Sequence, residues 1–112
     1  MNTARIKELN DAFRKGLRPE LGRIMITAGA RHHVAAWPLG ELMLYERVKN
    51  FDAFTEDNNP HGENDFGSFE YLGERVFFKL DYYNKTLDGG SEDPADPDQT
   101  CRVLTIAMMS EY

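Results

Sequence analysis

The segment from Phe51 to Tyr83 constrains the fold of this chain more than any other part of the sequence. A polar, turn-rich loop comes first, and two strand patterns follow it, Phe66–Tyr71 and Arg75–Tyr83. Only Leu72-Gly73-Glu74 separates the two patterns, and a connection this short joins antiparallel strands. The sequence therefore predicts a β-hairpin directly next to a polar loop.

The second strand of this hairpin has two faces of different character. Alternation places Val76, Phe78 and Leu80 on one face, which we expect to lie in the core. The opposite face carries Phe77 and Tyr83. We expect this second face to leave apolar surface open for a partner or for a homodimer.

The remaining sequence predicts an α+β fold with the element order α-β-α-β-β-β. Apolar residues recur at helical spacing from Thr3, the expected N-cap, to Gly16, and again from Pro38 to Phe51. Short apolar runs at Arg23–Thr27, expected inside the sheet, and at Arg102–Met109 predict the other two strands. We expect one domain, residues 1–112, in which two helices pack on one face of a four-stranded, mainly antiparallel sheet.

The predicted core follows from the apolar stripes of these elements. Its residues are Ile6, Leu9, Phe13, Ile24, Ile26, Leu42, Tyr45, Val48, Val76, Phe78, Leu80, Leu104 and Ile106. The stretch Ala30–Pro38 shows no clear period. We expect its two adjacent histidines, His32 and His33, to be exposed in a loop.

Size and composition limit the class of protein. A chain of 112 residues suits one domain with a single core. No apolar run approaches the roughly 18 residues that a membrane-spanning helix needs, so we expect no membrane partner and a cytoplasmic location. The lone Cys101 excludes an intrachain disulfide and a cysteine-based zinc cluster.

Charge is distributed unevenly along the chain, whose net charge is −6. Residues 1–49 contain nine Lys and Arg against five Asp and Glu, whereas residues 50–112 contain four against fourteen. We name residues 51–65 the first acidic loop and residues 84–100 the second acidic loop. Such loops repel nucleic-acid phosphates and attract cations or a basic protein surface, although acids in the second loop could instead cap turns. The candidate binding residues are Glu56, Asp57, Glu63, Asp65, Asp93, Asp96 and Asp98.

The first acidic loop also contains residue types that bind metal ions. It matches the calcium-binding EF-hand loop at Asp57 and Gly62, but His61 and Ser68 stand where oxygen ligands are needed. A different divalent-metal site, which would activate water for hydrolysis, could use Asp57, His61, Glu63, Asp65 and Asp81. The same stretch could also be a hydrogen-bonded turn, since turns require Asn, Asp, Pro and Gly. For Lys79 and Asp81 we favour a cross-strand ion pair.

Four stretches carry distinctive motifs, namely Asp57–Gly67, Lys79–Tyr83, Asp93–Pro97 and Arg102–Ile106. In these stretches the chain resembles a small bacterial domain of unknown function that is carried on chromosomes, plasmids and other mobile elements. The resemblance extends from the first predicted helix to Tyr112 and is weakest in Ala30–Gly40. It implies a bacterial protein associated with mobile DNA, and it lends no catalytic residues because the family has no assigned activity.

These observations favour a protein-binding module without enzymatic activity and without a cofactor. The expected partner is a protein with a basic surface. One such class is a host defence system that handles nucleic acid, a CRISPR effector or a restriction enzyme, which the chain would inhibit by occupying a basic groove. The alternatives are a metal-dependent hydrolase that uses the first acidic loop, with a divalent metal ion as its cofactor, and a structural subunit.

Overall fold

A mixed sheet and three helices on one of its faces form the two layers of the structure. The computed structural model describes residues 2–112. Its elements are, in chain order, α1 (Thr3–Arg14), β1 (Gly22–Ile26), α2 (Ala28–Val34), α3 (Gly40–Lys49), β2 (Phe66–Tyr71), β3 (Glu74–Tyr83) and β4 (Cys101–Met108), with short 3-10 turns at Pro19–Leu21 and Met109–Glu111. The α+β class and the four strands are as predicted, but this part of the chain contains three helices and not two. None of these helices is long and apolar enough to cross a membrane.

The strands lie side by side in the order β1-β4-β3-β2. β3 pairs antiparallel with both β2 and β4, but β1 runs parallel to β4. The prediction that the first strand lies inside a mainly antiparallel sheet was therefore wrong, because β1 forms an edge of a mixed sheet. The chain passes through two helices before it returns from β1 to the sheet, and a long crossover of this kind permits parallel pairing. Ile24, predicted in the core, is consequently 41% exposed.

The predicted hairpin is confirmed. Tyr71 pairs with Glu74, so only Leu72 and Gly73 form the turn. Both turn residues have positive φ angles, 51° and 86°, as a type I′ turn requires. The turn geometry matches the right-handed twist of the strands and fixes which residues of β2 and β3 face each other.

The two faces of β3 are both covered. Val76, Phe78 and Leu80 are buried beneath the helices, as predicted. Phe77 on the outer face is only 4% exposed, so the prediction that it contributes open apolar surface was wrong. Two aromatic rings cover it: Phe66 stacks on it at 5.7 Å between centroids, and the Tyr112 ring lies 5.1 Å away. Tyr112 is distant from β3 in the sequence, so the alternation along β3 could not predict this contact.

The predicted apolar stripe of helix α1 is buried, and both ends of the helix are capped. Its buried apolar residues are Ile6, Leu9 and Phe13. The N-cap is Asn2 and not Thr3, because the Asn2 side chain accepts a backbone N–H from the first turn. At the other end Gly16 has φ 77°, and the Leu17 N–H donates to the Ala12 carbonyl oxygen at 2.9 Å. This is the Schellman arrangement that glycine permits, so the predicted end of the helix is confirmed.

Helix α2 occupies the stretch that we predicted to be a loop. Thr27 caps the helix by accepting the Ala30 N–H at 3.2 Å, and Ala30 and Val34 then pack into the core. His32 and His33 are therefore helical; His32 is exposed, while His33 is half-buried, with Nε2 2.8 Å from the carbonyl oxygen of the last residue of β2. The helix was missed because it is two turns long and contains a glycine.

Helix α3 meets the core through only part of the stripe that we predicted. Val48 is buried and Tyr45 packs partly buried against the core, as predicted, whereas Leu42 is 55% exposed and Leu44 is buried. The side of α3 that faces the core depends on Gly40. This glycine packs so closely on α2 that an added Cβ would lie 2.3 Å from the Val34 carbonyl oxygen. That contact turns Leu44 toward the core. The sequence did not predict this orientation, because apolar residues occur on several sides of the helix.

The buried side chain of Arg14 joins α1 to the end of α3. Only 1% of the residue is exposed. Its Nη1 donates to carbonyl oxygens at the end of α3 and in the following turn, those of Val48 at 2.8 Å, Lys49 at 3.0 Å and Phe51 at 3.1 Å. Burial lowers the pKa of Arg14, and the hydrogen bond from Nη2 to Asp11 opposes this effect. Arg14 therefore caps a helix and fixes where the first acidic loop begins.

We predict that Arg14→Met will lower the free energy of unfolding by about 3 kcal/mol, because the buried carbonyl oxygens and Asp11 lose their donor. The matched control is Lys15→Met, which changes the exposed C-cap residue directly after the helix. Urea denaturation of both variants provides the measurement. Equal unfolding midpoints for the two variants would contradict the capping role.

Candidate functional site

Both acidic loops meet at one end of the sheet, which we name the acidic end. The second acidic loop connects the end of β3 to the start of β4, and Tyr82 pairs there with Arg102. The first acidic loop reaches the same place through Glu63, which contacts Tyr82. Side chains from α1 lie between the two loops.

Asn10 of α1 connects the parts of the acidic end. It is fully buried. Its Nδ2 donates to the Glu63 carbonyl oxygen at 2.9 Å and to the Tyr82 hydroxyl at 2.8 Å, while its Oδ1 accepts from Arg102 Nε at 2.7 Å. A helix, two strands and the first acidic loop thus meet on one amide group, in surroundings where a lost hydrogen bond is costly.

Arg102 extends this network to the second acidic loop. It is fully buried, and its Nη2 donates to the Pro94 carbonyl oxygen. Its guanidinium lies 5.3 Å from the centroid of the Tyr82 ring. Burial lowers the pKa of Arg102, and the nearby Tyr82 and Glu63 act in the opposite direction. The guanidinium therefore holds the proline-containing turn against the start of β4.

The Tyr82 hydroxyl directs the Glu63 carboxylate inward. It donates to Glu63 Oε1 at 2.7 Å while it accepts from Asn10. Burial raises the pKa of Tyr82, and the hydrogen bond to Glu63 raises it further, so the phenol remains a donor at neutral pH. Glu63, a candidate for both partner binding and metal binding, is thus half-buried and engaged within the protein.

Asparagine side chains hold the first acidic loop in shape. Asn59 and Asn64 bond reciprocally: Asn59 Nδ2 donates to Asn64 Oδ1 at 2.8 Å, and the Asn64 N–H donates to Asn59 Oδ1 at 2.9 Å. Asn64 has a φ of 56° and also donates to the Asp11 carboxylate at 3.1 Å. This part of the loop is therefore a hydrogen-bonded turn docked on α1, as one of the alternatives from the sequence described.

Four of the five candidate metal ligands line one cleft of about 370 Å³ on the outer side of the hairpin; they are Asp57, His61, Asp65 and Asp81. Glu63 is the exception. Among residues 2–112, no three His, Cys, Asp or Glu side chains converge closely enough to hold one metal ion. Lys79 Nζ lies 3.1 Å from Asp81 Oδ2, so the expected ion pair forms along one strand and not across two.

Asp65 lies in this cleft and is half-buried at the entry to β2. Burial raises its pKa, and the neighbouring carboxylates of Glu63 and Asp81 add to this effect. The ionised form of Asp65 is therefore less stable in the folded protein than in the unfolded chain.

Two of the three candidate acids in the second acidic loop cap turns. Asp93 Oδ1 accepts the Ala95 N–H at 3.1 Å. Asp96 accepts the Asp98 N–H at 2.9 Å and the Gln99 Nε2 at 2.7 Å, and these bonds lower its pKa. Within the described part of the chain the Asp98 carboxylate has no hydrogen bond or ion pair, and the residue is exposed. The loop is ordered by its own acids, and Asp98 remains available.

Sequence reasoning missed the buried polar residues Asn10, Tyr82 and Arg102 as organisers of the site. A signal for Arg102 was present, because it has the same strand parity as Leu104 and Ile106, which were predicted to face inward. Asn10 likewise lies one helical turn after Ile6, on the buried stripe of α1. A polar residue at a core position predicts a buried hydrogen-bond network.

We predict that Tyr82→Phe will destabilise the protein by about 1–2 kcal/mol, because Glu63 and Asn10 each lose a buried partner. Hydrogen exchange of backbone amides around Glu63 should accelerate as well. Tyr83→Phe is the matched control, since Tyr83 is an exposed neighbour whose hydroxyl has no hydrogen bond within residues 2–112. Identical stability and exchange in the two variants would contradict the network.

We predict that Asp65→Asn will stabilise the protein at pH 7. A carboxyl group whose pKa is raised by folding favours the folded state below its unfolded pKa and loses that contribution as the pH rises through the folded pKa. The gain from Asn should therefore shrink as the pH falls through the folded pKa of Asp65, and it should be absent below the unfolded pKa of aspartate, about 3.9. Thermal unfolding across this range provides the measurement, with Asp98→Asn as the exposed control. A stability gain that did not change with pH would contradict the assignment.

Comparison with known proteins gives a family and no activity. A family profile described as "Protein of unknown function (DUF3768)" matches residues 32–111. This range includes α3, the whole hairpin, β4 and both acidic loops, and it leaves out α1. No curated protein and no solved structure shows a significant match to the chain. Because the match spans well over half of the sequence, the chain belongs to the DUF3768 family of proteins of unknown function.

Proposed function

We propose that this protein is a binding module that recognises a basic surface on a partner protein through its acidic end. The observation that supports this proposal best is the network centred on Asn10. Through Glu63 on one side and Arg102 with Pro94 on the other, it holds both acidic loops at the same end of the sheet. Acids that are separated in sequence thereby act on one region of the surface.

The acids that point to solvent are the ones that can meet a partner. Glu56, Asp57 and Asp98 are exposed and have no hydrogen bond or ion pair within residues 2–112. Asp93 is exposed as well, although one of its oxygens caps a turn. Because internal hydrogen bonds already order both loops, binding would require little further loss of conformational entropy.

Elsewhere on the surface, several cations are compensated by local acids. Arg18 pairs with Glu20 at 3.0 Å, and Arg31 pairs with Glu41 at 2.9 Å. The excess of negative charge in residues 50–112 is thus left to act at long range. A field of this sign speeds association with a positively charged surface and weakens as salt is added.

For the class of partner, we propose a protein that handles nucleic acid. Surfaces that bind phosphates are strongly basic, and carboxylates fixed on a rigid scaffold would compete with phosphates for them. The chain would then act as an inhibitor that occupies a basic groove without breaking a bond. A mobile element that encoded it would protect its DNA from a restriction enzyme or a CRISPR effector.

We predict that Glu56→Gln with Asp57→Asn will weaken capture of the partner about tenfold, because two exposed charges of the interface are lost. The matched control is Glu70→Gln with Glu74→Gln, which removes the same charge from the opposite end of the hairpin. The immobilised protein and both variants are incubated with a bacterial extract at low and high salt, and retained proteins are quantified by mass spectrometry. Equal loss in both double variants, or capture that salt does not weaken, would contradict the acidic end as the interface.

The nature of the partner's surface is tested by competition. Duplex DNA added to the captured complex should release this protein if both bind the same basic groove. Release by DNA supports the inhibitor proposal, whereas a complex that resists DNA excess would restrict the function to binding a basic protein surface of another kind.

A different measurement tests the alternative that this protein is a metal-dependent hydrolase. Four of its candidate ligands line one cleft, so a divalent ion could still bind there with rearrangement. Calorimetric titration with Mg²⁺, Mn²⁺, Ca²⁺ and Zn²⁺ tests this directly. Heat that disappears in His61→Ala would favour the metal site, and an absence of heat for all four ions would remove it.

A further inference from the structure

The last residues of the chain cross the outer face of the sheet as a short segment, Met109–Tyr112, which we name the strap. Its anchor is the Glu111 carboxylate. Glu111 Oε1 accepts the Met108 N–H and the Thr27 hydroxyl, both at 2.8 Å, and the carboxylate lies beside Gly29. These bonds lower the pKa of Glu111. One side chain therefore connects the end of β4 to the start of α2.

The sequence of α2 is shaped around this anchor. A Cβ added at Gly29 would lie 2.6 Å from the Glu111 carboxylate, closer than non-bonded atoms can approach. Glycine inside a helix costs about 1 kcal/mol relative to alanine. This loss of helix stability is explained if position 29 must lack a Cβ so that the Glu111 carboxylate can pack above it.

The strap also accounts for the burial of Phe77. The Tyr112 ring lies 5.1 Å from Phe77 and 6.3 Å from Phe66, between centroids. Within residues 2–112 the three α-helices pack on the other face of the sheet, yet Phe77 is only 4% exposed. Tyr112 itself is 80% exposed, so it covers the face without being enclosed.

Two hollows flank the strap. One is the cleft of about 370 Å³ lined by Asp57, His61 and Asp65, and the other, of about 440 Å³, has Phe77 and Ala107 in its floor. Tyr112 and Lys79 line both. The hollows are therefore separated only by the tyrosine ring and one lysine side chain.

We infer, independently of the proposed function, that the strap is a gate on the outer face of the sheet. When Glu111 holds its two donors, Tyr112 covers Phe77 and divides the face into two hollows. When the carboxylate leaves its donors, the strap lifts, Phe77 is uncovered and the hollows join into one groove with an aromatic floor. In that groove Lys79 lies with the carboxylates of Asp57, Asp65 and Asp81.

The test uses two variants that open the strap in different ways. Glu111→Ala removes the anchor, and Gly29→Ala displaces it while making α2 a better helix. In both we expect the Met108 amide to exchange about tenfold faster and the dye ANS to bind more strongly, with amides of the β3–β4 ladder unchanged. Ser110→Ala, an exposed change within the strap, should do neither.

The outcomes separate a gate from a simple structural contact. Local acceleration at Met108 with a gain of ANS fluorescence supports the gate. Unchanged exchange in both variants would overturn it, and so would acceleration throughout the sheet in Gly29→Ala, because the strap would then be part of the global fold. If Glu111→Ala fails to fold, Gly29→Ala still decides, because it keeps every residue of the strap.

Discussion

The buried amide of Asn10 is the interaction on which the arrangement of this protein depends. A side-chain amide offers two donors and one oxygen acceptor, and here all three hydrogen bonds go to different parts of the chain, namely Glu63, Tyr82 and Arg102. In a buried position each of these groups would be costly to leave unpaired. The helix, the two central strands and the first acidic loop must therefore adopt mutually compatible positions, and Arg102 passes the constraint on to the second acidic loop.

The acidic residues of the two loops have two different roles. Some of them stabilise the loops: the Glu63 carboxylate accepts the Tyr82 hydroxyl, and Asp93 and Asp96 close turns. Glu56 and Asp57 are exposed and unengaged within residues 2–112. An acidic sequence is thus not the same as an acidic interface, because part of the charge builds the loops that present the rest.

Local patterns predicted the parts of the fold that local physics determines. Alternation along β3 and the short connection between the two strand patterns were sufficient for the inner face and the hairpin, and the glycine at position 16 marked the end of α1. The errors arose where contacts between residues distant in sequence determine the structure. Nothing in Ile24 and its neighbours shows that β1 is an edge strand, and nothing near Phe77 shows that Tyr112 covers it. The candidate acids of both loops came from composition alone, whereas the network that positions them required Arg102 to be recognised as inward-facing.

The most direct test of this account is an NMR measurement on the side chains of the network in solution. The account predicts that the Asn10 side-chain amide and the Arg102 Nε–H exchange slowly with water, and that nuclear Overhauser effects connect Asn10 to Tyr82 and Arg102 to Pro94. The exposed amide of Asn50 serves as the reference in the same spectrum. An Asn10 amide that exchanges as rapidly as that of Asn50, without these contacts, would contradict the claim that one buried side chain holds both acidic loops in place.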